Sequence, residues 1–188
     1  MLLALSGITG VGKSYFTQLV EDKLGFKKVN TIRTRNKRPG EEDGKTGLFK
    51  TKEEVEELKK EGKIIYDFDV FGGTYAYLKD EILSEDDYIF EMYYATINDF
   101  KKIRKDLVSI YIMPTDINKA LEQIGKRNFS KEKEEERLKE TKQQYEAFMN
   151  NKDIRDSFDY IIYNNYDEES KNNVIDLINK IKSKNNFR

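Results

Sequence analysis

Short apolar runs alternate with charged stretches of helical spacing along most of this 188-residue chain. Leu2 to Leu5, Tyr88 to Met92, Leu107 to Met113 and Tyr160 to Tyr163 are near-continuous in hydrophobicity, as buried strands are, and Phe26 to Asn30 is a shorter candidate. Tyr15 to Leu24 carries Phe16, Leu19 and Val20 at helical spacing, and Ile97 to Arg104, Ile117 to Gly125 and Asn173 to Lys182 have the same period. Strand and helix in alternation predict an α/β chain whose central parallel sheet is covered on both faces. Two segments interrupt the rhythm. Thr31 to Tyr77 holds an Arg-Pro-Gly-Glu stretch, a short helix near Lys52 to Glu61 and a strand-like run from Lys63 to Phe71, a composition suited to a small inserted subdomain. Lys126 to Asn150 is charged and helical with few apolar residues to hold it on a core, which suits a mobile lid. The core is then 1–30, 78–125 and 151–188, the insertion 31–77 and the lid 126–150. The Lys/Glu run from Lys131 to Lys142 reads mostly as a solvated helix face with i,i+4 pairs; Arg127 and Arg137 are the candidates for something more.

The first strand runs into Gly7-Ile-Thr-Gly-Val-Gly-Lys-Ser14, which fits G-x-x-x-x-G-K-[ST]. Glycines at 7, 10 and 12 let successive backbone N–H groups turn inward on a polyphosphate. Lys13 can reach the outer phosphates, and the Ser14 hydroxyl can hold Mg²⁺. Strand, loop and helix stand in the order this chemistry needs, with the helix N-terminus favouring anions. Length allows one domain with a substantial core. Lys+Arg 34 against Asp+Glu 35 leaves a net charge of −1, which gives no bulk argument for a nucleic-acid polymer or a membrane as partner. The chain has no cysteine and no histidine, so thiolate metal sites and an imidazole base are excluded, and chemistry must rest on Lys, Arg, Asp, Glu, Tyr and hydroxyls. The first apolar stretch is too short for a signal sequence and none is long enough to span a membrane, so a cytoplasmic monomer or weak homodimer is expected.

The order of these pieces resembles the guanylate kinase family over nearly the whole chain. After its phosphate loop that family has Thr, Arg, a second Arg and a Pro/Ala-Gly-Glu turn; Thr31, Thr34, Arg35, Arg38, Pro39, Gly40, Glu41 and Gly44 stand here in that order. Its Gly-Asn-Tyr-Tyr-Gly turn is similar to Phe71-Gly72-Gly73-Thr74-Tyr75-Ala76, and its Tyr-Asp, apolar, Asn element to Phe158 through Asn164. The resemblance implies a three-layer P-loop kinase fold with a central parallel sheet, an inserted NMP-binding subdomain and a helical lid. It implies ATP on Thr9, Gly10, Val11, Gly12, Lys13, Ser14 and Tyr15, with Mg²⁺ at Ser14. It places Arg35, Arg38 and Tyr75 on the phosphate of a nucleoside monophosphate, where a guanidinium fork matches phosphate oxygens. Arg33 and Lys37 add charge that the family does not need. Arg127 and Arg137 fall where the family's lid arginines close over the transferring group, although Gln123 stands where a further lid Arg is usual and the spacing between Arg127 and Arg137 looks one residue short. Asn164 sits where the family contacts the donor base, and a strand-end Asn is as often a turn residue.

The departures gather at the acceptor base. Aligning the Gly-Asn-Tyr-Tyr turn puts Tyr66 where the family has a guanine-reading Glu, and a phenol cannot offer a carboxylate's two acceptors. Asp67 and Asp69 project from the opposite face unless the strand slips by one residue. Gly47 replaces a Tyr whose hydroxyl would meet the acceptor phosphate. Glu91, at the end of an apolar strand, most nearly answers the family's Asp-x-Asp, and Thr31 keeps the hydroxyl expected to face guanine O6. The leading expectation is a Mg-ATP-dependent nucleoside monophosphate kinase with GMP or dGMP as acceptor. A kinase of another nucleotide or of a sugar phosphate, or a non-catalytic interaction module of the same fold, are the alternatives, and a hydrolysing switch would leave the Arg-x-x-Arg segment without a role.

Overall fold

Five parallel strands form the central sheet of the computed structural model, which describes residues 1–185 apart from 39 and 128. The strands are β1 (Leu2–Gly7), β2 (Lys27–Lys28), β3 (Ile32–Arg33), β4 (Leu48–Phe49), β5 (Ile64–Val70), β6 (Gly73–Leu78), β7 (Tyr88–Glu91), β8 (Val108–Pro114) and β9 (Tyr160–Asn164). The helices are α1 (Lys13–Leu24), α2 (Lys52–Lys60), α3 (Lys79–Ile82), α4 (Ile97–Ile103), α5 (Ile117–Gly125), α6 (Lys131–Asn150), α7 (Lys152–Asp156) and α8 (Glu168–Asn185). The central sheet has the order β2-β7-β1-β8-β9, with Leu3 of β1 opposite Ile89 on one side and Val108 on the other. Leu2, Leu3, Ala4 and Leu5 are wholly buried because helices cover both faces, which is why β1 reads as a continuous apolar run rather than an alternation. β1 has β7 on one flank and β8 on the other, so the strand order turns about β1 and a crevice opens beyond its carboxyl end. The phosphate loop starts there.

A second sheet, β4-β3-β6-β5, is mixed: β3 pairs parallel with β4 and antiparallel with β6, and β5 pairs antiparallel with β6. The sequence did not foretell β6. Its partner β5 is joined to it through Phe71 and Gly72, both at positive φ (53° and 77°), the two-residue geometry that matches the twist of a hairpin. A small core of Ile32, Val55 and Ala76 holds this sheet to α2, whose N-terminus is fixed by a reciprocal Thr51–Glu54 capping box. Phe26 to Asn30 shrinks to the two residues of β2, and α8 starts at Glu168, earlier than its apolar spacing indicates.

The charged segment that looked loosely held becomes one long helix, α6, whose last turns are fastened to the core. Phe148 is buried with its ring stacked on Tyr111 at 4.0 Å between centroids, Thr141 is fully buried, and the Arg155 guanidinium caps the Phe148 and Met149 carbonyls at 2.7 and 2.5 Å. One aromatic in the right place secures what composition did not suggest.

Candidate active site

The loop after β1 is built from backbone. Gly12 caps α1 in the left-handed conformation without any side-chain cap, so the first amides of the helix face the loop. A Cβ on Gly10, at φ +84°, would meet the Ala120 carbonyl at 2.4 Å, so only glycine lets the loop lie this close to α5. The Lys13 ammonium donates to the carbonyls of Gly7 and Ile8, each at 2.8 Å. Burial lowers Lys13 from its usual 10.5 to about 8, with Glu91 opposing and Arg127 adding to the fall. Thr9 N–H donates to Gln144 of α6 at 3.0 Å, the Val11 carbonyl accepts from Asn164 Nδ2 at 2.9 Å, and the Gly10 carbonyl accepts from the Tyr166 hydroxyl at 3.2 Å. Ser14 and Tyr15 stand exposed at the rim.

The facing wall is built from side chains on the second sheet and on the loop that leaves β3, which carries Arg35, Arg38 and Glu41. Arg35 forks both oxygens of Glu41 at 2.7 Å, and its Nε donates to the Tyr75 hydroxyl at 2.8 Å. Burial pushes the Glu41 carboxyl up, but hydrogen bonds from Arg35 and from the Arg38 N–H outweigh it and bring it down to about 2. Arg38 is different. Its guanidinium has no hydrogen bond or ion pair among the described residues, and burial together with the charges of Arg137 and Arg35 lowers its pKa. Pro39, between Arg38 and Gly40, lies outside the described residues. Phe68 stacks on Tyr75, Tyr77 and Tyr93, and Phe71 sits edge-on to Tyr75 and Tyr93, so this wall is aromatic below the arginines.

Loop and wall enclose one cleft of about 1090 Å³, large for one small molecule and suited to two. Lys13, Ser14, Thr31, Arg35, Arg38, Tyr75, Glu91, Arg127, Arg137 and Asn164 all line it, as do Thr9, Gly10, Gly12 and Tyr15. Val11 is wholly buried and contributes through its backbone. Arg137 comes from α6 with Nη1 on Glu140 at 2.7 Å, and Arg127 follows α5. Cations drawn from four separate segments thus converge where a polyphosphate and a second anion can meet.

The guanylate kinase family model matches residues 1–181. The chain belongs to the guanylate kinase family. It is 30% identical to the guanylate kinase of Wolbachia pipientis over 96% of this chain and 90% of that one, and 28% identical to that of Oceanobacillus iheyensis over 95% and 86%. The crystal structure of the guanylate kinase from Anaplasma phagocytophilum superposes with a TM-score of 0.69 at 22% identity, covering 98% of this chain and 85% of that one, which bears on the fold alone.

Within a guanylate kinase fold, one site expectation needs correction. Tyr66 does not line the cleft: it donates to Asp99 at 3.0 Å and packs on Phe100, and the aromatic that faces inward from β5 is Phe68. Neither neighbouring carboxylate takes over. Asp67 pairs with Lys59 at 2.9 Å and Asp69 accepts from the Thr74 hydroxyl at 2.7 Å, both outside the cleft lining. Asn164 lines the cleft with its amide held on backbone: Nδ2 donates to the Val11 carbonyl and Oδ1 accepts from Tyr166 N–H at 2.7 Å, so it braces the phosphate loop. Glu41, Phe68, Phe71 and Gln144 went unassigned in the sequence. Alternation from Tyr66 could have found Phe68, whereas Gln144 sits in a Lys/Glu-rich helix with nothing to mark it.

Proposed function

We propose that this chain transfers the γ-phosphoryl group of Mg-ATP to the phosphate of GMP, with 31–77 as the acceptor-binding subdomain and 126–150 as the lid. The observation that carries the reading is the meeting of Lys13, Arg38, Arg127 and Arg137 in one cleft between the phosphate loop and the second sheet. The donor's β and γ phosphates lie on the loop amides and Lys13. The acceptor phosphate lies against Arg38 and the Arg35–Tyr75 pair. An oxygen of the acceptor phosphate forms the new bond to the γ-phosphorus as the bond to the bridging oxygen of ADP breaks. That attacking oxygen carries no proton, because a phosphate monoester is largely dianionic near neutral pH, so no base is needed in a chain that has no histidine. Arg127 and Arg137 spread positive charge over the transferring group. The Ser14 hydroxyl is a hard oxygen donor exposed in the cleft, which suits Mg²⁺ arriving with ATP; among the described residues no His/Cys/Asp/Glu cluster would hold a metal alone. When bound, Mg²⁺ would screen the phosphate charges.

Glu91 is the acidic cleft residue left to read the acceptor base. Of the other two that line the cleft, Glu41 is held by Arg35, and Asp167 accepts from Ser170 and Asn165. A coupled assay of ADP release with ATP, Mg²⁺ and a panel of nucleoside monophosphates tests the function: GMP-dependent ADP and GDP in equal amounts are expected. ATP turnover with every monophosphate left unchanged would overturn the reading.

A further inference from the structure

Arg33 had no assigned role, and the structure puts it among the groups that surround the acceptor phosphate position. It lies on β3 opposite Tyr75 of β6 and lines the cleft. Its Nη1 donates to the Thr46 carbonyl at 2.6 Å and stands 3.8 Å from Glu41 Oε1, and its guanidinium lies 5.9 Å from the Phe49 ring centroid and 6.0 Å from that of Tyr75. One donor is not spoken for. Nε is buried with no hydrogen-bond partner among the described residues. Gly47 explains how the side chain fits. A Cβ at position 47 would come within 2.6 Å of Arg33 Nη1 and 2.8 Å of the Thr31 carbonyl, so a side chain there and Arg33 in its present pose exclude one another. This is the position at which the family resemblance calls for a tyrosine hydroxyl directed at the acceptor phosphate.

We propose that Arg33 is a third guanidinium of the acceptor-phosphate cradle, standing in space that a side chain at position 47 would occupy and supplying the donor that Gly47 cannot. The inference rests on the acceptor site proposed above. Charge supports it independently. Arg33, Arg35 and Arg38 face the single carboxylate of Glu41, while Arg137 is balanced by Glu140, so the cradle carries two net positive charges. A phosphate monoester carries about −1.5 to −2 near pH 7, and removing Arg33 would leave a cradle matched to the monoanion. The competing role is purely structural, an anchor for the turn that ends at Gly47. The two roles differ in what they do to a ligand without a phosphate.

Titration calorimetry of GMP and of guanosine against the wild type, Arg33→Gln and Arg38→Gln separates them. Arg33→Gln is expected to weaken GMP roughly 10- to 100-fold, as losing a charged hydrogen bond does, and to leave guanosine unchanged. It is also expected to flatten the rise of GMP affinity through pH ~6, where the ester becomes a dianion. Should Arg33→Gln fail to fold, Arg33→Lys takes its place: the charge stays, the fork goes, and GMP is expected to weaken about fivefold or more with guanosine again unchanged. Equal losses for GMP and guanosine, or wild-type GMP affinity in both Arg33 variants while Arg38→Gln binds poorly, would overturn the inference and leave the acceptor site standing. A wild type that binds no GMP would overturn that site and this inference together.

Discussion

The two walls of the cleft are made by different means. The donor wall is backbone: β1, a glycine-bent loop and the open amides of α1, with one ammonium set into it. The acceptor wall is side chains, aromatics on a small four-stranded sheet and arginines mostly on the loop that leaves β3, with Arg35 fixed by Glu41 and Tyr75. A backbone site depends on glycines at fixed positions and tolerates little change. A side-chain site can change the residues that supply it. On this one Phe68 rather than Tyr66 faces inward, and the Arg33 guanidinium lies where a side chain at position 47 would stand.

The contrast is most exposed at Lys13. Lys13→Ala is expected to lower kcat by about a thousandfold or more, since it removes a cation from developing charge. Its melting temperature is expected within a few degrees of the wild type, because desolvation of the ammonium and its hydrogen bonds to the Gly7 and Ile8 carbonyls oppose one another. A substantial fall in melting temperature would mean that the lysine serves the fold. On the acceptor wall, Arg38→Ala is expected to raise the KM for GMP about 100-fold and leave that for ATP within a few-fold, because the proposed site sets Arg38 against the acceptor phosphate. Equal effects on both would erase the distinction between the walls. Base choice comes next: Glu91→Gln is expected to cut the GMP-over-AMP ratio of kcat/KM at least about tenfold, and an unchanged ratio would show that the aromatic wall alone selects the base.

Proton linkage sharpens the donor side. Lys13 has a folded value near 8, and a bound polyphosphate favours its protonated form, so ATP binding takes up a proton as pH passes 8 and affinity declines above it. Calorimetry at pH 8.5 in buffers of different ionisation enthalpy reads that uptake directly, and Lys13→Ala should abolish it. The smallest effect concerns the hairpin tip. Phe71 holds a left-handed φ of 53° while lining the cleft, and Phe71→Asn is expected to stabilise the chain by about 1 kcal/mol while raising the KM for GMP a few-fold. Stability unchanged by that substitution would remove the case for strain at the site.

The donor wall was legible in the sequence because its signal is local: apolar run, glycine spacing, lysine and helix are contiguous from Leu2 to Leu24. Most of the central sheet was legible for the same reason, β1 and β8 being continuous apolar runs buried on both faces, whereas β2 is two lysines and β9 leaves Ile161 and Tyr163 exposed. β6 was not, since its Gly-Thr-Tyr-Ala start reads as a turn until β5 is there to pair with it. α6 hid its attachment because its few core contacts, Phe148 on Tyr111 with Thr141 and Tyr145, are scattered among ten charged residues other than the buried Arg137. On the acceptor wall the arginines were found by their motif, but Tyr66 was misassigned. Alternation fixes which face a strand residue takes, not how far along that face the cleft reaches, and Asp99 lies beyond its edge to capture the phenol.

That two unlike walls serve one reaction is tested most directly by titrating the protein with a dinucleotide in which adenosine and guanosine are joined through five phosphates. One molecule per chain should bind, more tightly than ATP or GMP, be displaced by either, and lose affinity in both Lys13→Ala and Arg38→Ala. Displacement by only one of the two nucleotides, or two molecules bound per chain, would contradict a single cleft shared by donor and acceptor.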